Sequence, residues 1–281
     1  MPIDINKIKS LKTEASNTVN ALLEEYISSG DESRQKKARL LSYWLKDYCN
    51  YLRWEETFDP SRNKKYKRGD IIQANLGYNI GSEEGGLHYA VVMDNDNTRN
   101  SPIITIIPLT SVKPETDVEN LNGNNVFLGS EIYDKLSLKH QSVSQTIADN
   151  IEKLNRQLDH LNELTDKIAL LINSSGQDQE TIPDDLTQGL QDLLNQHIAT
   201  TNQIESNIDS LKKDKKNLEK IKLEIDKMKA GSIALINQVT TISKLRIYNP
   251  KNSSGVLHGI RLSPAKLDAI NDKFKKLYVY D

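Results

Sequence analysis

Cysteine is almost absent from this chain, in which Cys49 is the only cysteine among 281 residues. A single thiol excludes an internal disulfide and a zinc site made of several thiolates. Proteins that fold in a reducing compartment keep their thiols free, so we expect a cytoplasmic protein.

Long apolar runs are also missing. The N-terminal residues MPIDINKIKSLK lack the apolar core of a signal peptide. No later segment approaches the roughly 20 apolar residues that a transmembrane helix requires. We therefore expect neither secretion nor a membrane partner.

Neither sign of charge dominates, because 37 Lys and Arg residues stand against 39 Asp and Glu residues. This balance provides no general attraction to nucleic acid, so an RNA or DNA site must depend on local patches. The strip RNKKYKR at residues 62–68 is one such patch, with five basic residues around Tyr66. It can neutralise phosphates while its ring stacks on a base, or it can be a solvated leader into a strand.

The five histidines have no metal-binding pattern. No pair has the H-E-x-x-H spacing of a zinc-binding helix, and the chain has no G-x-S-x-G nucleophile turn. We therefore expect no metal and no cofactor, so any chemistry must come from the side chains.

Helical spacing predicts an N-terminal helical extension over residues 1–57. Apolar side chains recur at steps of three and four on one face, at Ala38, Leu41, Leu45, Tyr48 and Leu52. The segment SSGDES at 28–33 separates this helix from an earlier one. Gly30 can end the first helix, and Asp31 or Ser33 can cap the second.

Short β-branched runs fill residues 58–138, namely DIIQANL, HYAVVMD, IITIIPL and VFLGSEI. Turns rich in glycine and asparagine separate them, which is typical of a small barrel or sandwich. Strand character returns in residues 230–281, before a C-terminal helix that Ser263 and Pro264 can begin. The pattern predicts a mixed α+β chain whose small β-barrel is split into two parts.

Between these parts, residues 139–229 have the spacing of a coiled coil. The two apolar seams contain Ile147, Ile151, Leu154, Leu158, Leu161, Thr165, Ile168 and Ile172, and then Leu190, Leu193, His197, Thr201, Ile204, Ile208 and Leu211. The second seam continues less regularly to Met228, with a register slip near Lys215. A break at 174–185 predicts an inserted antiparallel hairpin with arms of about 45 Å. It could pair within the chain, across a dimer or with a partner protein.

Three motifs in the first part, KRGDII, GSEEGGLHYAVVMDND and NSPIITIIPLTS, resemble the PemK/MazF family of toxin endoribonucleases. The family pattern has R-G-D-[IV], then G-S-E-Q-G-G-x-R-P, then a segment ending in [LI]-T. The later segment SIALINQVTTISKLRI resembles a family motif that ends in K-x-R. The resemblance covers about residues 66–130 and 229–278.

The resemblance implies an SH3-like barrel, usually a homodimer, that cleaves single-stranded RNA without a metal and has an antitoxin protein as partner. In the family, an arginine after the glycine loop and a threonine ending the third strand act at the scissile phosphate. The products are a 2′,3′-cyclic phosphate and a 5′-hydroxyl. Thr110 matches the threonine, whereas His88 stands at the arginine position and Tyr89 at the following proline.

His88 and Thr110 are the candidate catalytic residues. An imidazole transfers protons near neutral pH better than a guanidinium does, although it gives up the permanent bidentate hold on phosphate. The Thr110 hydroxyl can donate to a phosphoryl oxygen, which is an electrostatic role. Without the motif, they would be a half-exposed histidine and an ordinary threonine at the end of a strand.

The candidate substrate-binding residues lie in three places. They are Lys67 and Arg68 in the basic strip, Ser82 and Glu83 in the glycine loop with Ser111 beside Thr110, and Gln238 and Arg246 in the later motif. In that loop, Gly85 and Gly86 can adopt a positive φ and let a ribose or phosphate approach the backbone. For the polar residues, the alternative is an ordinary solvated side chain.

Two functions stay open. The chain is either a sequence-selective, metal-independent endoribonuclease of a toxin–antitoxin system, or a barrel without catalysis that serves as an RNA-binding or protein-interaction scaffold through its coiled coil. Thr110 and the loop GSEEGG favour the first function. The histidine in place of an arginine favours the second.

Overall fold

The computed structural model describes residues 3–121, 123–175, 184–229 and 231–279. It begins with two helices, α1 (Ile5–Ser28) and α2 (Glu32–Glu55). Asp31 caps α2 by accepting a hydrogen bond from the Ser33 amide at 2.8 Å. Gly30 before it has a φ of 68°.

Within the described residues, seven strands form one antiparallel sheet. They are β1 (Ile71–Asn75), β2 (Leu87–Val92), β3 (Ile103–Ser111), β4 (Asn125–Gly129), β5 (Ser232–Leu235), β6 (Thr240–Ser243) and β7 (Ile247–Asn249). The order is β4-β5-β3-β2-β1-β7, and β6 pairs with β3. Strands from the two parts of the sequence therefore pair with each other in one sheet.

The strand β3 is central and changes partner along its length. Its residues 103–106 pair with β6, and its residues 109–111 pair with β5. Pro108 lies between these two pairing segments, where its missing N–H removes no bond to β5 or β6. A strand that changes partner in this way turns the sheet around its inner face.

The inner face of the sheet is an aliphatic core. Its buried members are Tyr66, Ile72, Ala74, Leu76, Ala90, Val92, Ile104, Ile106, Ile242 and Ile247. Successive side chains of a strand alternate between faces, so every second residue of β2 and β3 belongs to this face. The same alternation assigns His88, Pro108 and Thr110 to the inner face at one end of the sheet.

Contacts divide the chain into two units, Met1–Gly129 with Ser232–Asp281, and Ser130–Gly231. The second unit consists of the helices α3 (Glu131–Ser175) and α4 (Asp184–Lys227), which pack along each other. At 1.5 Å per residue each helix is about 65 Å long. Both helices exceed the expected length of about 45 Å, and α3 begins at Glu131, before the predicted start of the insertion at residue 139. The predicted break between them lies mostly outside the described residues.

The predicted seam of α3 is partly wrong. A heptad track of buried or half-buried positions runs through Val143, Ile147, Asn150, Leu154, Gln157, Leu161, Leu164, Ile168 and Leu171. The expected seam members Ile151 and Ile172 are instead 47% and 55% exposed. The prediction followed apolar residues, whereas the packed face accepts Gln157 because Asn207 of α4 donates to its side-chain oxygen at 2.7 Å.

The register slip predicted in α4 is also wrong. Its track runs through Leu190, Leu193, His197, Thr200, Ile204, Asn207, Leu211, Asp214, Leu218, Ile221, Ile225 and Met228. Successive positions are three or four residues apart in strict alternation. The predicted slip arose because one of these positions is occupied by the polar residue Asp214, so no apolar residue marks it in the sequence. Polar residues inside a helical seam specify its register at some cost in stability.

The predicted fold class is confirmed. The chain is a mixed α+β protein with N-terminal helices, an antiparallel sheet and long inserted helices. A C-terminal helix, α5 (Pro264–Tyr278), follows Ser263 with proline at its start, as the sequence predicts.

The α4 track gives a test of the hairpin packing. Ile204 is 6% exposed, whereas Ile198 on the same helix is 56% exposed. We expect Ile204→Ala to lower the free energy of unfolding by about 2–4 kcal/mol, because it leaves a cavity. The matched control Ile198→Ala should change it by less than about 0.5 kcal/mol. Denaturant unfolding followed by helical circular dichroism measures both, and equal effects would contradict the assigned track.

Candidate active site

A cleft of about 610 Å³ lies beside the loop that joins β1 to β2. Its walls are Leu76, Asn79, Ser82, Glu83, Glu84, Pro108, Asn237, Gln238, Val239, Thr240, Ile242 and Arg246. Four predicted substrate-binding residues therefore meet there, namely Ser82, Glu83, Gln238 and Arg246. These residues come from both parts of the barrel sequence.

Glycines fold the loop back onto the end of β1. The Gly86 amide donates to the Gly77 carbonyl oxygen at 2.6 Å, and the Gly86 carbonyl accepts from the Leu76 amide at 2.7 Å. The φ of Gly86 is 81°. A Cβ at Gly85 would lie 2.9 Å from the Gly77 carbonyl oxygen, which is too close. Close packing therefore requires glycine at position 85, and the positive φ favours glycine at position 86, whether or not a ligand approaches them.

Gln238 holds the loop from the opposite wall. Its side-chain oxygen accepts from the Glu84 amide at 2.6 Å, and its side-chain nitrogen donates to the Ser82 carbonyl oxygen at 3.2 Å. The Glu83 carboxylate accepts from the Ile80 amide at 3.3 Å and so stays within its own loop. Gln238, predicted to bind substrate, therefore positions the loop that carries Glu84.

The His88 ring lies between two hydrogen-bond acceptors. Its Nδ1 lies 3.4 Å from the Leu109 carbonyl oxygen, and its Nε2 lies 3.4 Å from the Glu84 carboxylate. The side chains of His88 and Glu84 are 29% and 25% exposed. When Nδ1–H donates to Leu109, Nε2 holds the lone pair and can accept a proton.

Thr110 lies on the strand next to His88. The antiparallel register pairs Ala90 with Pro108, so its continuation by two residues sets His88 opposite Thr110. Both residues flank the cleft without lining it, whereas their neighbours Glu84 and Pro108 do line it. Ser111, the other candidate on this strand, is exposed and pairs with Ser232 of β5.

Arg246 is the cation of the cleft wall. Its Nε donates to the Asn75 carbonyl oxygen at 2.7 Å. Its guanidinium carbon lies 5.4 Å from the ring centroid of Trp44 on α2. Burial lowers the pKa of the Arg246 guanidinium below its ordinary value, yet an arginine stays charged at neutral pH. The cleft therefore presents a positive charge that has already lost much of its water.

Lys67 and Arg68 do not join this site. They precede β1, at the end of the β1–β2 hairpin opposite to His88, about 15 Å away at the rise of a strand. Arg68 donates to the Met93 carbonyl oxygen and to the Asn271 side chain of α5, which is a structural role. The Lys67 amide donates to the Asp70 carboxylate at 3.1 Å.

Of the two interpretations of the basic strip, the burial of Tyr66 excludes the one in which its ring stacks on a base. Its ring is 2% exposed, and its hydroxyl donates to the Pro250 carbonyl oxygen at 2.7 Å. Lys64 contacts this ring and also pairs with Asp70 at 3.1 Å. The basic strip is therefore tied to the barrel around Tyr66 and Asp70.

Sequence reasoning missed Glu84 and Trp44. The family pattern has glutamine and arginine where this chain has Glu84 and His88, and these two departures contact each other in the structure. In the sequence, these two differences from the family pattern lie only four residues apart. This spacing was the available sign that the two side chains interact. Trp44 lies about 200 positions before Arg246 in the chain, and no local spacing connects them.

Within the described residues, no group of three or more His, Cys, Asp or Glu side chains could hold a metal ion. The helices of the described ranges include none that is long and apolar enough to span a membrane.

The fold is that of a small antiparallel barrel domain. A loop whose conformation depends on glycines lies over a polar cleft that contains an arginine. Residues 67–174 match the family model described as PemK-like, MazF-like toxin of type II toxin-antitoxin system. The resemblance to the PemK/MazF family is therefore confirmed over this range of residues. The second resemblance, at residues 229–278, lies outside the matched range. No curated protein matches the chain.

The role of Gln238 gives a prediction that needs no activity. We expect Gln238→Ala to speed hydrogen exchange at the Glu84 amide by roughly tenfold, because that amide loses its acceptor. Asn237→Ala is the matched control, since Asn237 lines the same cleft without this bond. Exchange measured by NMR or mass spectrometry should leave the control unchanged. Equal exchange rates in all three proteins would show that Gln238 does not hold the loop.

Proposed function

We propose that this protein is the toxin of a type II toxin–antitoxin system and acts as an endoribonuclease on single-stranded RNA. The observation that carries the proposal is the Leu109–His88–Glu84 arrangement at the edge of a cleft that contains Arg246. One group there can take a proton, and another can neutralise a phosphate.

His88 is the general base in this proposal. Nδ1–H donates to Leu109, so Nε2 accepts the proton of the ribose 2′-hydroxyl as its oxygen attacks phosphorus. The 5′-oxygen leaves with a proton from solvent, and the products are a 2′,3′-cyclic phosphate and a 5′-hydroxyl. The Glu84 carboxylate then stabilises the imidazolium that has formed.

Arg246 and Thr110 stabilise the phosphate in this proposal. A guanidinium in a water-poor wall interacts strongly with the negative charge that develops on the phosphorane. The Thr110 hydroxyl donates to a phosphoryl oxygen. Arg246 thereby supplies the permanent charge that His88 does not have. Ser82, Glu83 and Ser111 contact the nucleotides beside the scissile linkage and provide sequence selectivity.

The remaining parts of the proposal concern partners and place. The family suggests an antitoxin protein as partner, and we propose a cytoplasmic homodimer that needs neither metal nor cofactor. The single Cys49 and the balanced charge agree with a cytoplasmic protein. The coiled coil of α3 and α4 is a candidate surface for the antitoxin or for the second copy.

One observation favours a second function. His88 and Thr110 flank the cleft without lining it, and His88 replaces the arginine of the family pattern. A barrel with this site could bind RNA or a protein through its coiled coil without cleaving anything. The experiments below separate this scaffold from the nuclease.

The first prediction concerns cleavage itself. We expect the purified protein to cut single-stranded RNA in the presence of EDTA and to leave cyclic phosphate ends, which end-group analysis detects. His88→Ala should reduce the rate by about 10²–10⁴-fold, because a general base is lost. Thr110→Ala should cost about tenfold or more through lost phosphate stabilisation.

Lys67→Ala is the matched control, because Lys67 lies at the other end of the hairpin. Cleavage that survives both His88→Ala and Thr110→Ala would show that the site is misassigned. RNA binding without any cleavage would support the scaffold.

The Glu84–His88 contact gives a second prediction. We expect Glu84→Gln to reduce the cleavage rate by about tenfold, because the imidazolium loses its counter-charge. The double variant Glu84→Gln/His88→Arg restores the glutamine and the arginine of the family pattern and should retain cleavage. An unchanged rate in Glu84→Gln would remove Glu84 from the mechanism.

A further inference from the structure

A strip of aromatic side chains on α2 begins beside the cleft and has no part in the proposed chemistry. It consists of Trp44, Tyr48, Tyr51 and Trp54, hereafter the aromatic strip. Ring centroids lie 5.7 Å apart for Trp44 and Tyr48, 6.2 Å for Trp44 and Tyr51, and 5.7 Å for Tyr51 and Trp54. Steps of four and three residues keep the rings on one side of the helix.

The aromatic strip connects the cleft with a second cavity. Trp44 stacks against Arg246, which lines the cleft. Trp54 lines a cavity of about 280 Å³ together with Leu245 and Lys251. Leu245 and Arg246 are neighbours in one 3₁₀ turn, so this turn separates the two cavities. A strand of RNA that leaves the cleft past Arg246 would therefore meet the aromatic strip.

Packing against the barrel fixes the position of the aromatic strip. Asn75 donates to the Asp47 carboxylate of α2 at 3.1 Å. A Cβ at Gly77 would lie 3.0 Å from Trp44 and 3.2 Å from Arg246, so a glycine is required at this contact. Burial raises the pKa of Tyr51, which lies between Asn75 and Arg246. These contacts fix the position of α2 against the wall of the cleft.

The exposed part of the aromatic strip fits nucleobases. Tyr48 and Trp54 are 48% and 51% exposed. Between Trp44 and Trp54, α2 has two basic side chains and one acidic side chain, and Lys251 is exposed beside Trp54. Open aromatic faces among cations are the combination that binds single-stranded nucleic acid. The core of a protein–protein interface is instead depleted of charge.

We propose that the aromatic strip binds unpaired nucleobases of the RNA strand whose scissile phosphate occupies the cleft. The proposal rests on the proposed function, since it takes the same RNA as ligand. Tyr48 and Trp54 stack on bases, and Lys251 contacts the phosphate backbone between them. The N-terminal helices thereby select longer single-stranded substrates.

The two tryptophans of the chain both lie in the aromatic strip, so tryptophan fluorescence reports on it alone. The probe is a single-stranded oligonucleotide of about ten nucleotides, with 2′-methoxy groups that prevent cleavage. We expect it to quench the fluorescence of the native protein, whereas an abasic strand of equal length should not. Tyr48→Ala should weaken binding by about tenfold, which is the loss of one stacked base.

Two variants serve as controls. Tyr48→Phe keeps the ring and should bind as the native protein does. Tyr43→Ala removes an aromatic residue of the same helix that is 63% exposed and lies outside the strip, and it should bind normally.

Several outcomes would overturn the proposal. Equal quenching by the abasic strand would mean that the bases are not stacked, and unchanged affinity in both Tyr48→Ala and Trp54→Ala would remove the strip from binding. An altered oligomeric state in Tyr48→Ala without quenching in the native protein would make the strip an interface between copies. Quenching without cleavage of any RNA would instead reject the proposed nuclease and leave the RNA-binding strip in place.

Discussion

The pairing of β3 with strands that follow the insertion is the constraint on which the rest of the structure depends. Its first half pairs with β6, its second half with β5, and its other edge with β2. The sheet cannot form until two distant parts of the chain meet, which costs loop-closure entropy. Pro108 occupies the point where the partner changes, so a residue that normally weakens a central strand lies where no bond to either partner is lost. The cleft opens beside the same residue.

The site is consequently assembled from both parts of the sequence. The first part provides the glycine loop with Glu84 and the strand β2 with His88, and the second part provides Gln238 and Arg246. Gln238 joins them directly, because one side-chain amide satisfies two backbone groups of the loop. A half-buried amide that bonds two backbone groups of one loop in this way orders the loop. The position of Glu84, and with it the environment of the His88 imidazole, therefore depends on a residue about 150 positions later.

The local sequence pattern was sufficient to predict the helices and strands. It was not sufficient to predict contacts between residues that are far apart in the sequence. The helix break at Asp31 and the run of strands followed from capping chemistry and period-two alternation. The seam of α3 was partly misassigned because apolar character alone selected Ile151, while a hydrogen bond across the pair allows Gln157 to be half-buried. Tyr66 was open to two interpretations because a basic strip gives no information about burial. Trp44 could not be connected to Arg246, since their contact exists only after α2 has packed on the barrel.

The place at which the inserted helices leave and rejoin the sheet has a consequence for the evolution of the chain. The last residue of β4, Gly129, is paired with Ser232, the first residue of β5. For hydrogen bonding within the sheet, everything between these two positions is equivalent to the connection of a simple β-hairpin. A gene segment that encodes a long helical arm can therefore be gained, lengthened or exchanged at this point while the hydrogen-bonded ladder on both sides stays the same.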